Sequence, residues 1–127
     1  MIVLDASALI AHLDAGDAHH ARAGLLLTET AGEELCASPL TLAEVLVGPA
    51  RGGRLDDARA ALGQLGIRGV ALTDDAPARL ATLRAETSLK LPDCCVLLAA
   101  AQVGGTVATF DERLAAAGRQ RGLLVKG

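Results

Sequence analysis

A chain of 127 residues with 51% hydrophobic content and a net charge of −3 is long enough to bury a core and too apolar to be intrinsically disordered. With no Trp, no Tyr and a single Phe (Phe110), it has no aromatic stacking platform for gripping nucleic acid by its bases. Its three cysteines lack the CxxC spacing of a zinc or redox site, which excludes a disulfide or zinc framework and leaves Cys36, Cys94 and Cys95 as small core residues.

The chain opens on IVLD, residues 2–5, a strand apolar on both faces. A helix follows from Ser7 to Leu13, and Gly16 breaks it. His19 to Glu29 is a second helical stretch. LCAS, 35–38, is a second strand. Ser38 and Pro39 form an N-cap and first-turn pair, and that helix is predicted to stop at Val47 before Gly48-Pro49. Leu55 to Leu65 is amphipathic. IRGVAL, 67–72, is a strand, and Thr73 is expected to cap a helix over 74–88. Leu91-Pro92-Asp93 opens an almost wholly apolar helix to Val103, expected to be buried on all sides. TVAT, 106–109, is a strand. Asp111 starts a short helix, and LLVK, 123–126, is the last strand.

Short apolar strands alternating with helices define an α/β fold: a three-layer sandwich with a short, mostly parallel central sheet, in one domain over 1–127. The longest apolar stretch, CCVLLAAAQV, falls short of the ~20 residues that span a bilayer. The N-terminus carries no basic leader, so a cytoplasmic location is expected.

In parallel sheets the functional crevice lies beyond the carboxyl ends of the strands. Asp5 ends the first strand and Asp111 follows the TVAT strand. Glu44 sits in the helix after LCAS, and Asp93 opens the buried helix. All four have apolar neighbours, where a lone carboxylate is unfavourable. Each has a local alternative. Asp5 and Asp111 are also candidate helix caps, Asp93 a favourable first-turn acid, and Glu44 an outward helix residue. Gathered on one rim, four carboxylates repel unless a cation lies between them. Oxygen-only ligands suit Mg²⁺ or Mn²⁺, and phosphoryl transfer is the chemistry that uses such clusters.

The order IVLDAS, then Ala-Glu in a helix after Ser-Pro-Leu, then KLPDCCVLLAA and VATFDERL resembles the PIN-domain ribonucleases. Within them it resembles the VapC-type toxins of toxin–antitoxin pairs. The resemblance implies that Asp5, Glu44, Asp93 and Asp111 are catalytic, metal-binding acids, with Ser7 and Thr109 as polar supports. It implies an Mg²⁺- or Mn²⁺-dependent endoribonuclease acting on RNA, a homodimer, and inhibition by a VapB-type antitoxin. The apolar excess of helices 19–29 and 40–47 gives such partners a surface.

Among the cations, Arg51 and Arg54 in the glycine-rich PARGGR loop are the better candidates for contact with RNA or antitoxin, with a solvated loop as the alternative, whereas Lys90 before Leu91 is a candidate for phosphate contact that reads first as a solvated lysine. His12, His19 and His20 lack a fourth ligand at zinc spacing, and His12 is placed at the border of the active-site groove. A haloacid-dehalogenase-type phosphatase needs a second Asp where this chain has Ser7. The remaining alternative is a non-catalytic module that uses the acids to bind a cation or a basic peptide.

Overall fold

The computed structural model describes all 127 residues. Five parallel strands form one sheet: β1 (Ile2–Leu4), β2 (Leu35–Ala37), β3 (Arg68–Gly69), β4 (Thr106–Ala108) and β5 (Val125–Lys126), in the order β3-β2-β1-β4-β5. Seven helices connect them: α1 (Ala6–Leu13), α2 (His20–Glu29), α3 (Pro39–Arg51), α4 (Leu55–Gln64), α5 (Ala76–Thr87), α6 (Leu91–Val103) and α7 (Glu112–Gln120). No helix is long and apolar enough to cross a membrane.

Alternation along β1 explains the layers. Val3 points to one face, where it joins Cys36, Leu97, Val107 and Leu114 in a core beneath α5, α6 and α7. Ile2 and Leu4 point to the other, joining Leu9, Leu26, Val45 and Leu62 beneath α1 to α4. The sheet is thus sandwiched between helices, the expected three-layer α/β arrangement. In α6 the run from Cys94 to Ala100 is buried without a break, while Leu91 at its start stays half exposed.

Strand order places the site. From β1 the chain builds outward to β2 and β3, then crosses back to β4 and β5 on the other side. Connections therefore diverge between the neighbours β1 and β4, whose register pairs Leu4 with Ala108. Such a divergence opens a crevice at the carboxyl ends of the strands.

Four sequence-based expectations are corrected. Helix α3 does not stop at Val47. Ser38 caps it through the Leu40 N–H, and it runs through Gly48-Pro49 to Arg51. Pro49 removes one N–H from the ladder, but the helix closes behind it, with Gly52 N–H bonding Gly48 O at 3.1 Å and Arg54 N–H bonding Pro49 O at 2.8 Å. The edge strands β3 and β5 are two residues each rather than the longer 67–72 and 123–126, because each has a partner on one side only. Thr73 does not cap α5. Asp75 holds the N-cap position, and the Thr73 hydroxyl bonds the Asp75 carboxylate while accepting from Gln102 Nε2. His12 is half-buried on α1 and lines none of the grooves beside the acids, since Ile10 and Leu13 take the groove-facing positions of that helix.

Candidate active site

Asp5 extends β1 by one residue. Its N–H bonds Ala108 O at 2.9 Å, and its backbone carbonyl accepts the Ala8 and Leu9 N–H groups that start α1. It therefore occupies the N-cap position, yet its side chain makes no capping bond. Instead Oδ2 accepts the hydroxyls of Ser7 and Thr109, each at 2.7 Å. Ser7 Oγ in turn accepts the Phe110 N–H, and Thr109 Oγ1 accepts the Asp111 N–H, both at 3.0 Å. A carboxylate only 5% exposed is thus fixed from both sides by two hydroxyls, each anchored to the β4–α7 loop. Ser7 and Thr109 thus both touch the Asp5 carboxylate.

Asp111 divides its oxygens. Oδ1 caps α7 by accepting the Arg113 and Leu114 N–H groups at 2.9 and 3.2 Å. Oδ2 takes part in no hydrogen bond within the chain. The capping alternative holds for this acid, and it leaves one oxygen for the rim.

Asp93 stands in the first turn of α6, half-buried. Its carboxyl is pushed up to about 6, first by burial and then by the charges of Asp5, Asp111 and Glu44, against a smaller opposing pull from Lys90. Glu44 lies on the exposed side of α3. Burial raises its carboxyl too, followed by Asp5, again opposed by Lys90. The four acids from β1, α3, α6 and the β4–α7 loop thus share one field, and Lys90 is the cation that shares it.

The structure gathers these carboxylates within electrostatic reach, although no three acidic, imidazole or thiol side chains stand together as a closed ligand group. The donor chemistry fits a hard divalent cation. Asp5 Oδ1, Asp111 Oδ2 and both oxygens of Asp93 and Glu44 lie outside the chain's own hydrogen bonds, an all-oxygen donor set.

Two grooves flank the acids. On the α3 side, Glu44 and Arg54 line a groove with Ile10, Val45 and Pro49. Arg51, in the last turn of α3, is absent from its walls. On the β5 side, Thr109 and Asp111 open onto a second cleft containing His19, Arg22, Arg119 and Lys126. Sequence reading missed this basic group, whose members come from three separate segments. The only adjacent signal was Phe110, next to Asp111. Phe110 does not stand alone: its ring lies 5.1 Å from that of His19, and the Arg22 guanidinium lies 4.8 Å over it.

Parallel strands diverging at a crevice rimmed by carboxylates define an α/β protein with its candidate site at the sheet rim. The sequence profile of the PIN domain family matches residues 2–120, and the chain belongs to that family. Among solved structures it is similar to a toxin–antitoxin complex from Klebsiella pneumoniae, at 27% identity over 87% of each chain and a TM-score of 0.72. It shares its fold with VapC20 of Mycobacterium tuberculosis, described as a sarcin-ricin loop cleaving toxin, at 22% identity, 93% and 95% coverage and a TM-score of 0.76. FitAcB from Neisseria gonorrhoeae aligns at 23% identity over 100% of this chain and 97% of its own, with a TM-score of 0.73. No curated protein sequence matches the chain.

Proposed function

We propose that this chain, acting as one PIN domain over 1–127, is the toxin of a VapBC-type pair and a metal-dependent endoribonuclease. The carrying observation is the convergence of Asp5, Glu44, Asp93 and Asp111 near the carboxyl ends of β1 and β4, where the charges of the other three push up the Asp93 carboxyl and Asp5 pushes up that of Glu44, after burial in each case. Membership of the PIN domain family and likeness to a toxin–antitoxin complex support the reading.

Asp5, Asp93 and Asp111 would hold Mg²⁺ or Mn²⁺, with Glu44 as a further ligand or the group that orients water. A divalent ion in such a site favours ionised water and offsets charge on phosphate oxygens. Ser7 and Thr109 keep Asp5 in one orientation. Lys90 and Arg54 border the acids and would meet phosphate on the approach. Ile10 and Val47, 40% and 45% exposed on α1 and α3, give an antitoxin segment or the second copy of a homodimer an apolar surface.

The test is cleavage of total cellular RNA by purified protein with Mg²⁺, Mn²⁺ or EDTA, beside Asp93→Asn. Discrete fragments from the wild type alone, lost in EDTA, are expected. No cleavage from folded, antitoxin-free protein would sink the nuclease reading and leave the non-catalytic cation- or peptide-binding module.

A further inference from the structure

The cleft on the β5 side of the acids is a cavity of about 580 Å³ with a predominantly polar lining. Its cations are Arg22 from α2, Arg119 from α7 and Lys126 from β5, with His19 at the N-terminus of α2. Its acids are Asp111, already engaged in the rim and the α7 cap, and Glu112. The two arginines are held differently. Arg22 is committed, lying over Phe110 and donating to the backbone carbonyl of Gly127 at 2.6 Å. Arg119 is exposed in the last turn of α7 and belongs to none of the chain's five ion pairs. Lys126 has a loose partner, Glu33, at 3.9 Å.

Three features decide what this surface takes. It shares Thr109 and Asp111 with the acid rim, so whatever occupies it is continuous with whatever reaches the acids. Its long cations come from three separate segments, α2, α7 and β5, that meet beside that rim. One wall carries the stacked His19–Phe110 pair, the only flat π surface near the site. A chain of anions with flat groups between them is complementary to all three.

We propose that this cleft holds the single-stranded RNA segment flanking the cut, with Arg119 and Lys126 on its phosphates and the His19–Arg22–Phe110 stack against a neighbouring base. The inference rests on the nuclease reading and gives that site a direction: substrate leaves the acids toward β5 and α7. The acids carry the reaction, whereas the cleft adds binding shared by ground and transition states. Its residues therefore act on KM and affinity rather than on kcat.

The experiment measures affinity for a short single-stranded oligoribonucleotide in EDTA, over a range of salt, followed by steady-state cleavage with Mg²⁺. Wild type is compared with Arg119→Gln, Lys126→Gln and the double variant. Both side chains are exposed, and thermal melts confirm each fold. Expected is a several-fold loss of affinity per substitution and a shallower salt dependence, by roughly 0.7 in log–log slope per lost phosphate contact. In cleavage, KM should rise with kcat nearly unchanged. If wild type binds and cleaves RNA and the double variant matches it in affinity, salt slope and KM, the cleft assignment is wrong while the nuclease reading stands. If wild type neither binds nor cleaves RNA, both fall. If the double variant loses only binding to a protein partner, the cleft is a protein-docking face and the inference is overturned.

Discussion

Thr109 Oγ1 donates to Asp5 Oδ2 at 2.7 Å and itself accepts the Asp111 N–H at 3.0 Å, so one side chain ties the acid after β1 to the acid after β4. Thr109 is 3% exposed, and Val is close to it in shape but lacks the hydroxyl. Thr109→Val should destabilise the fold by about 1–3 kcal/mol, because it strands a buried carboxylate oxygen and a backbone N–H. Activity should fall at least tenfold through misorientation of Asp5. Urea titration and RNA cleavage check this together, and a variant with wild-type stability and rate would show the bond to be incidental.

The acid pair Asp111→Asn and Asp111→Ala separates structure from chemistry. Asn caps helices about as well as Asp, so Asp111→Asn should keep α7 and lose cleavage. Asp111→Ala should lose cleavage and a further ~1 kcal/mol of stability, since two N–H groups lose their acceptor. Equal melting points for the two variants would refute the capping role.

Asp93 carries a pH signature. Its carboxyl rises from 3.8 to about 6 on folding, so the folded state holds the proton more tightly. Its ionisation therefore opposes folding. The penalty is absent below pH 3.8, grows through the interval, and is complete above about 6. Asp93→Asn, with no cation added, should be more stable than wild type at pH 7.5 by about 1 kcal/mol after solvent screening, and the difference should vanish near pH 4. Denaturant titrations at the two pH values decide it. A variant less stable at pH 7.5 would contradict the field assigned to the rim.

Added Mg²⁺ should raise the melting temperature of the wild type, because a ligand that binds only the folded state stabilises it by mass action. The shift should shrink below pH 6 as protons compete for Asp93, and disappear in Asp5→Asn and Asp93→Asn. An equal shift in all three proteins would place the cation elsewhere.

Much of this site is legible in short words of sequence. IVLD puts an acid directly after a strand, LPD puts one in the first turn of a buried helix, TFD puts one at the N-cap of the helix after β4, and parallel strands bring such positions to one rim. What escaped is tertiary. Pro49 reads locally as a helix stop, yet the ladder resumes behind it through Gly52 and Arg54. β3 and β5 are shorter than their apolar patterns because an edge strand has one neighbour to pair with. Thr73 reads as a cap, but Gln102 from α6 claims its hydroxyl. The basic cleft joins residues about a hundred positions apart, which no local spacing reveals. Composition excluded an extended stacking platform. It was silent on where the single Phe would sit, which is beside Asp111 and against His19.

The divergence of the chain at β1 and β4 has an evolutionary reading. Asp5 and Asp111 follow adjacent, hydrogen-bonded strands, whereas the flanking grooves draw on different segments: α1, α3 and α4 for one, and α2, α7 and β5 for the other. Changes in α4 on one side, or in the segment from the end of α7 to β5 on the other, leave the strand pairing that sets Asp5 beside Asp111 unaltered. Under the nuclease reading, the outer walls of the two grooves are therefore free to vary without disturbing the strand pairing that sets those two acids side by side.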